Sequence, residues 1–176
     1  MSRTNPYKKK KRQASKTLLV FGEGFNEEMF LKHLRSLYSY ECNVAITVKK
    51  GKGGDAQNII IDADKILGSY DRKIVVLDND KPKPEMLKAR LEAKNRNIEL
   101  IENTPCLEHL LVSILDKKPN GKASSWCKGE FEGKYLDKKK RGEPNEYVKL
   151  FPKKLLEARR LKIIELNKLI LIMEGK

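Results

Sequence analysis

The feature that most constrains the fold of this chain is the alternation of short apolar runs with stretches of helical periodicity. Four runs are predicted as buried strands, at residues 17–22, 44–48, 73–77 and 98–101. Helices are predicted at residues 25–38, about 56–67, about 85–95 and from about Pro105 onwards. Strands and helices in this order form a mostly parallel sheet with helices on both faces, so the sequence predicts an α/β fold.

The last third of the chain has a different pattern. Residues 117–145 are charged, contain several glycines and have no apolar period, which predicts a loop or an insertion. Leucines and isoleucines between residues 155 and 170 then predict a long amphipathic C-terminal helix. The predicted organisation is a basic disordered tail at 1–16, an α/β domain at 17–116, and a loop with a C-terminal helix at 117–176.

Basic residues are concentrated at the two ends of the chain. The formal net charge is +14; residues 1–16 hold seven lysines and arginines and no acid, and residues 117–176 hold 17 basic against 8 acidic residues. A nucleic-acid partner explains basic ends, because each neutralised phosphate releases counterions. The alternative is that these lysines only keep the protein in solution.

Composition also excludes several classes of protein. No apolar run approaches the ~20 residues of a membrane-spanning helix, so we expect no membrane association. The three cysteines include no Cys-x-x-Cys pair, which argues against a disulfide scaffold and a structural zinc site. Free thiols are typical of a reducing compartment, and we expect a cytoplasmic protein.

Acidic residues follow two of the predicted strands. Glu23 comes directly after the first strand, and Asp78 and Asp80 come after the third. Because the carboxyl ends of parallel strands meet at one edge of the sheet, these three side chains are expected to share a pocket. Carboxylates without a histidine or thiol partner suit Mg²⁺ or Mn²⁺, ions that promote phosphodiester cleavage. The alternative is that an Asp-x-Asp pair merely caps a helix or lies in a turn.

The order of these motifs along the chain narrows the choice of fold. Haloacid-dehalogenase-like folds have Asp-x-Asp after the first strand, and receiver-like domains leave Asp80 without a role. A glutamate after strand one with Asp-x-Asp after strand three is the pattern of the Toprim fold. The relevant segments are Phe21-Gly22-Glu23-Gly24, Gly51-Lys52-Gly53-Gly54-Asp55, Val76-Leu77-Asp78-Asn79-Asp80 and Thr104-Pro105-Cys106-Leu107-Glu108.

Through these segments the chain resembles the RloB-like proteins of the Toprim superfamily, over roughly residues 5–116. The resemblance implies a Toprim nuclease-like protein of restriction or phage-defence loci, with an ATPase or another protein of such a locus as a candidate partner. It implies that Glu23 serves acid/base chemistry or metal binding, that Asp78 and Asp80 are the metal-binding pair, and that Glu108 is a fourth acidic ligand. The chain departs from the family pattern at Asn26, Leu107, Leu110 and Ile114.

Two basic segments are candidate phosphate contacts. The glycine-rich loop after the second strand contributes Lys50, Lys52 and Gly53, whose backbone N–H groups and charges can hold phosphate. It lacks the GxxxxGK[ST] spacing of a nucleotide-hydrolysing loop. The second segment is the run Lys138, Lys139, Lys140 and Arg141. Both segments could instead be solvated turns.

Together these observations predict a nuclease that depends on Mg²⁺ or Mn²⁺ and cuts DNA or RNA. Two alternatives stay open. One is a nucleic-acid-binding or complex-forming subunit with an inactive Toprim pocket, and the other is a metal-dependent phosphotransfer or phosphatase enzyme.

Overall fold

The structure is a computed structural model that describes residues 14–40, 42–115 and 117–176. Four strands form one parallel sheet in the order β2-β1-β3-β4, which confirms the predicted α/β fold. The elements of the first two thirds are β1 (Lys16–Gly22), α1 (Phe25–Tyr38), β2 (Val44–Lys50), α2 (Ala56–Asp64), β3 (Arg72–Asp78), α3 (Lys83–Asn95), β4 (Ile98–Asn103) and α4 (Leu107–Ile114). Those of the last third are α5 (Ser124–Lys134), α6 (Pro144–Leu150), α7 (Lys153–Arg160) and α8 (Ile164–Met173).

Alternating side chains of the central strands feed two hydrophobic cores, one on each face of the sheet. On β3, Ile74 and Val76 pack with α1, α4 and α8, whereas Val75 and Leu77 pack with α2 and α3. All four are fully buried, which is the period of two expected for a strand covered on both faces. The prediction of helices on both faces of the sheet is therefore confirmed.

The tail predicted at 1–16 ends earlier than predicted, because residues 15 and 16 belong to the folded part of the chain. Residues 1–13 lie outside the described residues, so the predicted disorder and phosphate contacts of that segment stay predictions. Lys16 begins β1, and the preceding Ser15 N–H donates to the Asn43 carbonyl at 3.0 Å. The pairing of β1 with β2 thus extends to the first residues next to the tail.

The prediction of a loop at 117–145 is wrong for much of that segment, because α5 occupies residues Ser124–Lys134 and α6 begins at Pro144. Helix α5 buries only Cys127 and Phe131, four residues apart, and its other positions are charged, small or half-exposed. A stripe of two residues is too short to stand out as a helical period among so many charges.

The predicted long C-terminal helix is two helices, α7 and α8, with Ile163 in an extended conformation between them. Leu156 of α7 and Leu169 of α8 are both fully buried in the same core. Arg160 joins the two helices, since its guanidinium lies 3.0 Å from Glu174 Oε1 and donates to Asn167 Oδ1 at 3.2 Å. The break lets both helices bury their leucines against the α1 face of the sheet.

A close approach at Gly22 fixes how α1 leaves the sheet. A Cβ atom at Gly22 would lie 2.5 Å from the Glu27 Cβ and 3.3 Å from the Glu28 nitrogen. Glu27 in turn accepts a hydrogen bond from the Gly24 N–H at 3.0 Å, which closes the first turn of the helix. The glycine therefore lets the end of β1 and the start of α1 touch, and this contact positions the residues between them.

Replacing Gly22 with alanine is expected to destabilise the fold by about 1–3 kcal/mol, because the added methyl group overlaps the first turn of α1. Gly129 on α5 is the matched control, since an added Cβ there meets nothing within 4 Å. Gly129→Ala should be neutral or stabilising by roughly 0.5–1 kcal/mol. Urea unfolding of both variants measures the difference, and equal stabilities would contradict the close contact.

Candidate functional site

Four carboxylates converge at the carboxyl edge of the sheet. Glu23 follows β1, Asp78 ends β3, Glu108 lies in the first turn of α4, and Glu27 lies in the first turn of α1. They line a cleft of about 250 Å³. The other residues of the cleft are Gly24, Phe25, Asn26, Gly53, Lys128, Glu132 and Arg141. The sheet topology therefore brings acidic residues from three separate segments into one small space.

Asp78 is fixed at the junction of β3 and α4. Its Oδ1 accepts a hydrogen bond from the Leu107 N–H at 2.8 Å, so the carboxylate satisfies a free donor at the start of α4. Its own backbone N–H donates to Glu23 Oε2 at 3.3 Å. The side chain is only 5% exposed, and Oδ2 is left to face the cleft residues. Asp78 thus has a helix-capping role and also contributes charge to the cleft.

Two lysines lie against the carboxylates. Lys81 Nζ is 3.1 Å from Glu23 Oε1 and also donates to the Gly54 carbonyl, so it joins the end of β1 to the glycine-rich loop. Lys128 Nζ, from α5, lies 3.7 Å from Asp78 Oδ2 and 3.4 Å from Asp80 Oδ2. One ammonium group therefore reaches both carboxylates of the Asp-x-Asp pair, which supports the prediction that the two face the same side.

One carboxylate oxygen of Glu108 is buried without a hydrogen-bond partner among the described residues. Its Oε1 accepts from Asn26 Nδ2 at 2.9 Å, whereas its Oε2 has no hydrogen-bond partner among the described residues. The Asn26 Oδ1 atom is also buried without such a partner. Gly24, not Asn26, is the N-cap of α1, and Asn26 instead spans to Glu108. Unpartnered buried oxygens are costly, and they are the type of ligand that a hard cation takes.

Burial and mutual repulsion perturb the acidic groups. Burial, together with the charges of Glu27, Glu108 and Glu23, raises the pKa of Asp78 to about 8, although the Leu107 N–H opposes this. Burial, with the charges of Glu108 and Glu23, raises the pKa of Glu27 to about 7. Burial lowers the pKa of Lys128, but the charges of Asp78, Asp80 and Glu108 outweigh it and raise the pKa overall. The nearby ammonium groups therefore offset the burial and mutual repulsion of these acidic groups only in part.

Among the described residues, Asp78, Cys106 and Glu108 each place one possible ligand atom within 4.8 Å of the other two. Burial raises the pKa of Cys106 to about 12, so its thiol stays protonated and is a poor ligand. The remaining donors are carboxylate oxygens, among them the unpartnered Oε2 of Glu108. This donor set fits Mg²⁺ or Mn²⁺ better than a thiol-binding metal.

The structure brings five of the predicted site residues together, and Lys50 lies close by. Glu23, Gly53, Asp78, Glu108 and Arg141 all line the cleft. The cations of Lys50 and Arg141 both lie over the Phe25 ring, at 5.6 and 5.5 Å from its centroid. Phe25 therefore joins the glycine-rich loop to the basic run at 138–141.

The other predicted phosphate contacts do not line the cleft. Lys52, Lys139 and Lys140 are exposed in loops. Contrary to the prediction that Asp80 shares a pocket with Glu23 and Asp78 as a metal ligand, Asp80 is exposed, does not line the cleft and reaches it only through Lys128. Lys138 is also exposed, and its Nζ pairs with Glu132 Oε2 at 3.1 Å.

Sequence reasoning missed Glu27, Lys81 and Lys128. Glu27 lies in the predicted helix at 25–38, where nothing in the sequence distinguishes it from an exposed acid of the first turn, although it is 94% buried beside the cleft. Lys81 follows the Asp-x-Asp pair directly, so its position could have been noticed. Lys128 belongs to the segment predicted as a loop, and its spacing gives no sign that it faces Asp78.

Comparisons with protein-family models, with curated proteins and with solved structures gave no match for this chain. Within the described ranges, no helix has both the length and the apolar character needed to cross a bilayer. Any functional conclusion therefore depends on the cleft and on the residues around it.

Replacing Asp78 with asparagine is expected to raise the free energy of unfolding in EDTA by roughly 1–3 kcal/mol at about pH 9, since one pKa unit corresponds to ~1.4 kcal/mol. The amide removes a buried charge, and its oxygen can still accept from the Leu107 N–H. Folding raises the pKa of Asp78 from 3.8 to about 8. The wild-type protein should therefore lose stability relative to the variant as the pH rises from about 4 to about 8.

Urea unfolding at several pH values tests this expectation. Asp62→Asn is the matched control, because Asp62 is exposed and only 3.7 Å from Lys65. A destabilised Asp78→Asn variant at every pH would mean that the ionised carboxylate is a structural cap and that the cleft is not under electrostatic strain.

Proposed function

We propose that the chain is a divalent-metal-dependent nuclease that hydrolyses phosphodiester bonds in DNA or RNA. The observation that carries the proposal is the convergence of Glu23, Asp78 and Glu108 in a cleft that also contains Arg141 and Gly53. Buried carboxylates in excess over nearby lysines favour a cation, and basic residues at the rim favour a phosphate chain. Acidic and basic groups at one sheet edge suit metal-assisted chemistry on a phosphodiester.

Glu108 would hold the ion through its unpartnered Oε2 and Asp78 through the Oδ2 that faces Lys128, with Glu23 beside them. Asp80, outside the cleft, shares Lys128 with Asp78. When bound, a Mg²⁺ or Mn²⁺ ion supplies charge stabilisation of a phosphoryl group and activation of water. Glu27, with its pKa of about 7, is able to take up or release a proton at neutral pH.

The basic residues around the cleft have a separate task. Lys128 Nζ lies near Asp78 and Asp80, where it is able to contact a phosphate that approaches the carboxylates. The cations of Lys50 and Arg141 both contact the ring of Phe25, which lines the same cleft. These cations would attract and orient the sugar-phosphate backbone without reading bases.

A second candidate is a nucleic-acid-binding or complex-forming subunit without turnover. The contacts of Asp78 favour it, because a carboxylate that already caps α4 and faces Lys128 has structural partners without any ion. Only the nuclease should show a cleavage rate that depends on Asp78. The following experiment separates the two candidates.

We expect the wild-type protein to cleave at least one of single-stranded DNA, double-stranded DNA or structured RNA with Mg²⁺ or Mn²⁺, and not with EDTA. Asp78→Asn should lower the cleavage rate by at least about 100-fold, because one charged ligand for the ion is lost. Asp62→Asn should cleave like the wild type. A gel assay with end-labelled strands measures these rates.

Nucleic-acid binding by Asp78→Asn should persist or become tighter, since one carboxylate no longer repels phosphate. A wild-type protein that binds these strands but cleaves none of them would favour the binding subunit. Cleavage that survives both EDTA and Asp78→Asn would place the chemistry elsewhere in the chain.

Replacing Lys50 with alanine should weaken binding of single-stranded nucleic acid and reduce its salt dependence, by about 0.7 in log–log slope if one phosphate contact is lost. Lys153 is the matched control, because its Nζ lies 5.4 Å from the Tyr38 ring in a similar cation–aromatic contact. Tyr38 ends α1, at the edge of the sheet opposite the cleft. Equal slopes for Lys50→Ala and Lys153→Ala, measured by fluorescence anisotropy, would remove Lys50 from the interface.

A further inference from the structure

A second and larger cavity lies beside the end of β4. It has a volume of about 460 Å³ and shares no residue with the carboxylate cleft. Its walls come from the end of β4, from α4, from the segment 117–120 and from the turn between α7 and α8. This volume lies in the range of small-molecule binding sites.

Asn103 lines this cavity and carries a buried amide without a hydrogen-bond partner among the described residues. It is the last residue of β4 and lies two positions after Ile101, so its side chain points to the face of the sheet that α4 and α8 cover. The residue is 1% exposed, and neither Oδ1 nor Nδ2 has a hydrogen-bond partner among the described residues. A buried amide left in this way costs about 1–3 kcal/mol, so its retention suggests a ligand.

The rim of the cavity is basic. Lys117, Lys118 and Lys162 line it, and none of the three has an ion pair among the described residues. Arg159 also lines the cavity, and Glu165 is the one acidic residue among the described residues of its lining. Unpaired ammonium groups around a concave opening favour an anion, and phosphate is the common biological example.

Part of the cavity wall is apolar. His109 of α4 is half-buried there, next to Leu110 and Ile163. Burial lowers the pKa of His109, although the charge of Glu165 opposes this, so the imidazole is neutral at pH 7. A neutral ring is able to stack on a planar group.

We propose that this cavity binds a nucleotide, with the base against His109 and the Asn103 amide and the phosphate against Lys117, Lys118 and Lys162. Asparagine pairs its donor and acceptor with adjacent groups on a base edge, as it does with N6 and N7 of adenine. Binding here requires no metal ion and no hydrolysis, so the inference stands apart from the proposed nuclease activity.

The cavity and the carboxylate cleft are lined by paired residues of the neighbouring strands β3 and β4. Asn103 is the register partner of Asp78 on the neighbouring strand, and its carbonyl accepts from the Asn79 N–H at 2.9 Å. Adjacent strands are about 4.8 Å apart. The nucleotide has two possible sources, a free mononucleotide or one unit of a strand that also passes the carboxylate cleft, and the same recognition chemistry serves both.

The test is calorimetric titration of the full chain with AMP, with adenosine and with inorganic phosphate as separate probes. AMP should bind at least about tenfold more tightly than either part, because it uses the amide, the ring and the lysines together. Binding of phosphate as tight as AMP would overturn the proposal and leave a simple anion site. Absence of AMP binding would also overturn it.

Two variants locate the binding. Asn103→Leu should lower AMP affinity about tenfold while leaving the stability to urea equal or higher, because a buried unpartnered amide is replaced by an apolar group of similar size. Lys117→Ala/Lys118→Ala should lower the affinity for both AMP and phosphate. The matched control is Lys153→Ala/Lys154→Ala, another pair of consecutive exposed lysines that does not line the cavity. AMP affinity unchanged by the first two variants would overturn the proposal.

A competition experiment distinguishes the sources of the nucleotide. Oligoadenylate that displaces AMP from the wild type indicates a unit of a strand, and AMP that is not displaced indicates a free nucleotide. Asp78→Asn should bind AMP like the wild type, so failure of the nuclease proposal would leave this result unaffected.

Discussion

The hydrogen bond from the Leu107 N–H to Asp78 Oδ1 is the interaction on which the rest of the site depends. It closes the junction between β3 and α4, and it holds a carboxylate at 5% exposure in the middle of the acidic cleft. Glu108, one residue further along α4, is brought to Asp78 by the same junction. Because the bond uses Oδ1 alone, Oδ2 remains directed towards Lys128 and the other carboxylates. A single contact thus serves the fold and creates the charge arrangement.

The carboxylates of the cleft repel one another, and the topology of the sheet brings them together. Parallel strands deliver Glu23 and Asp78 to the same edge, and the close approach at Gly22 turns α1 back so that Glu27 joins them. Lys81 and Lys128 offset part of the repulsion, yet the pKa values of Asp78 and Glu27 are still raised to about 8 and about 7. Such a cluster is less stable alone than it would be with a small cation, which is the physical basis of the proposed metal site.

The sequence predicted the elements whose apolar residues form a continuous run or recur with a regular period. Strands such as residues 73–77 are short and apolar after their first residue, and α1 has a clear amphipathic stripe, so the sheet, its helices and the edge that carries Glu23 and Asp78 could all be derived. Helix α5 could not, because only Cys127 and Phe131 mark its buried side. Lys128 on that helix was missed for the same reason. The burial of Glu27 depends on the approach at Gly22, a tertiary contact without a sequence signature.

The central claim is that the carboxylate cleft binds a divalent cation, and a crystal of the protein grown with Mn²⁺ tests it most directly. The account predicts an anomalous difference peak in the cleft, about 2.0–2.6 Å from oxygens of Asp78 and Glu108. A Lys128 ammonium that remains between Asp78 and Asp80 in well-ordered crystals, with no anomalous peak at saturating Mn²⁺, would contradict it. The acidic cluster would then be a structural feature of the β3–α4 junction.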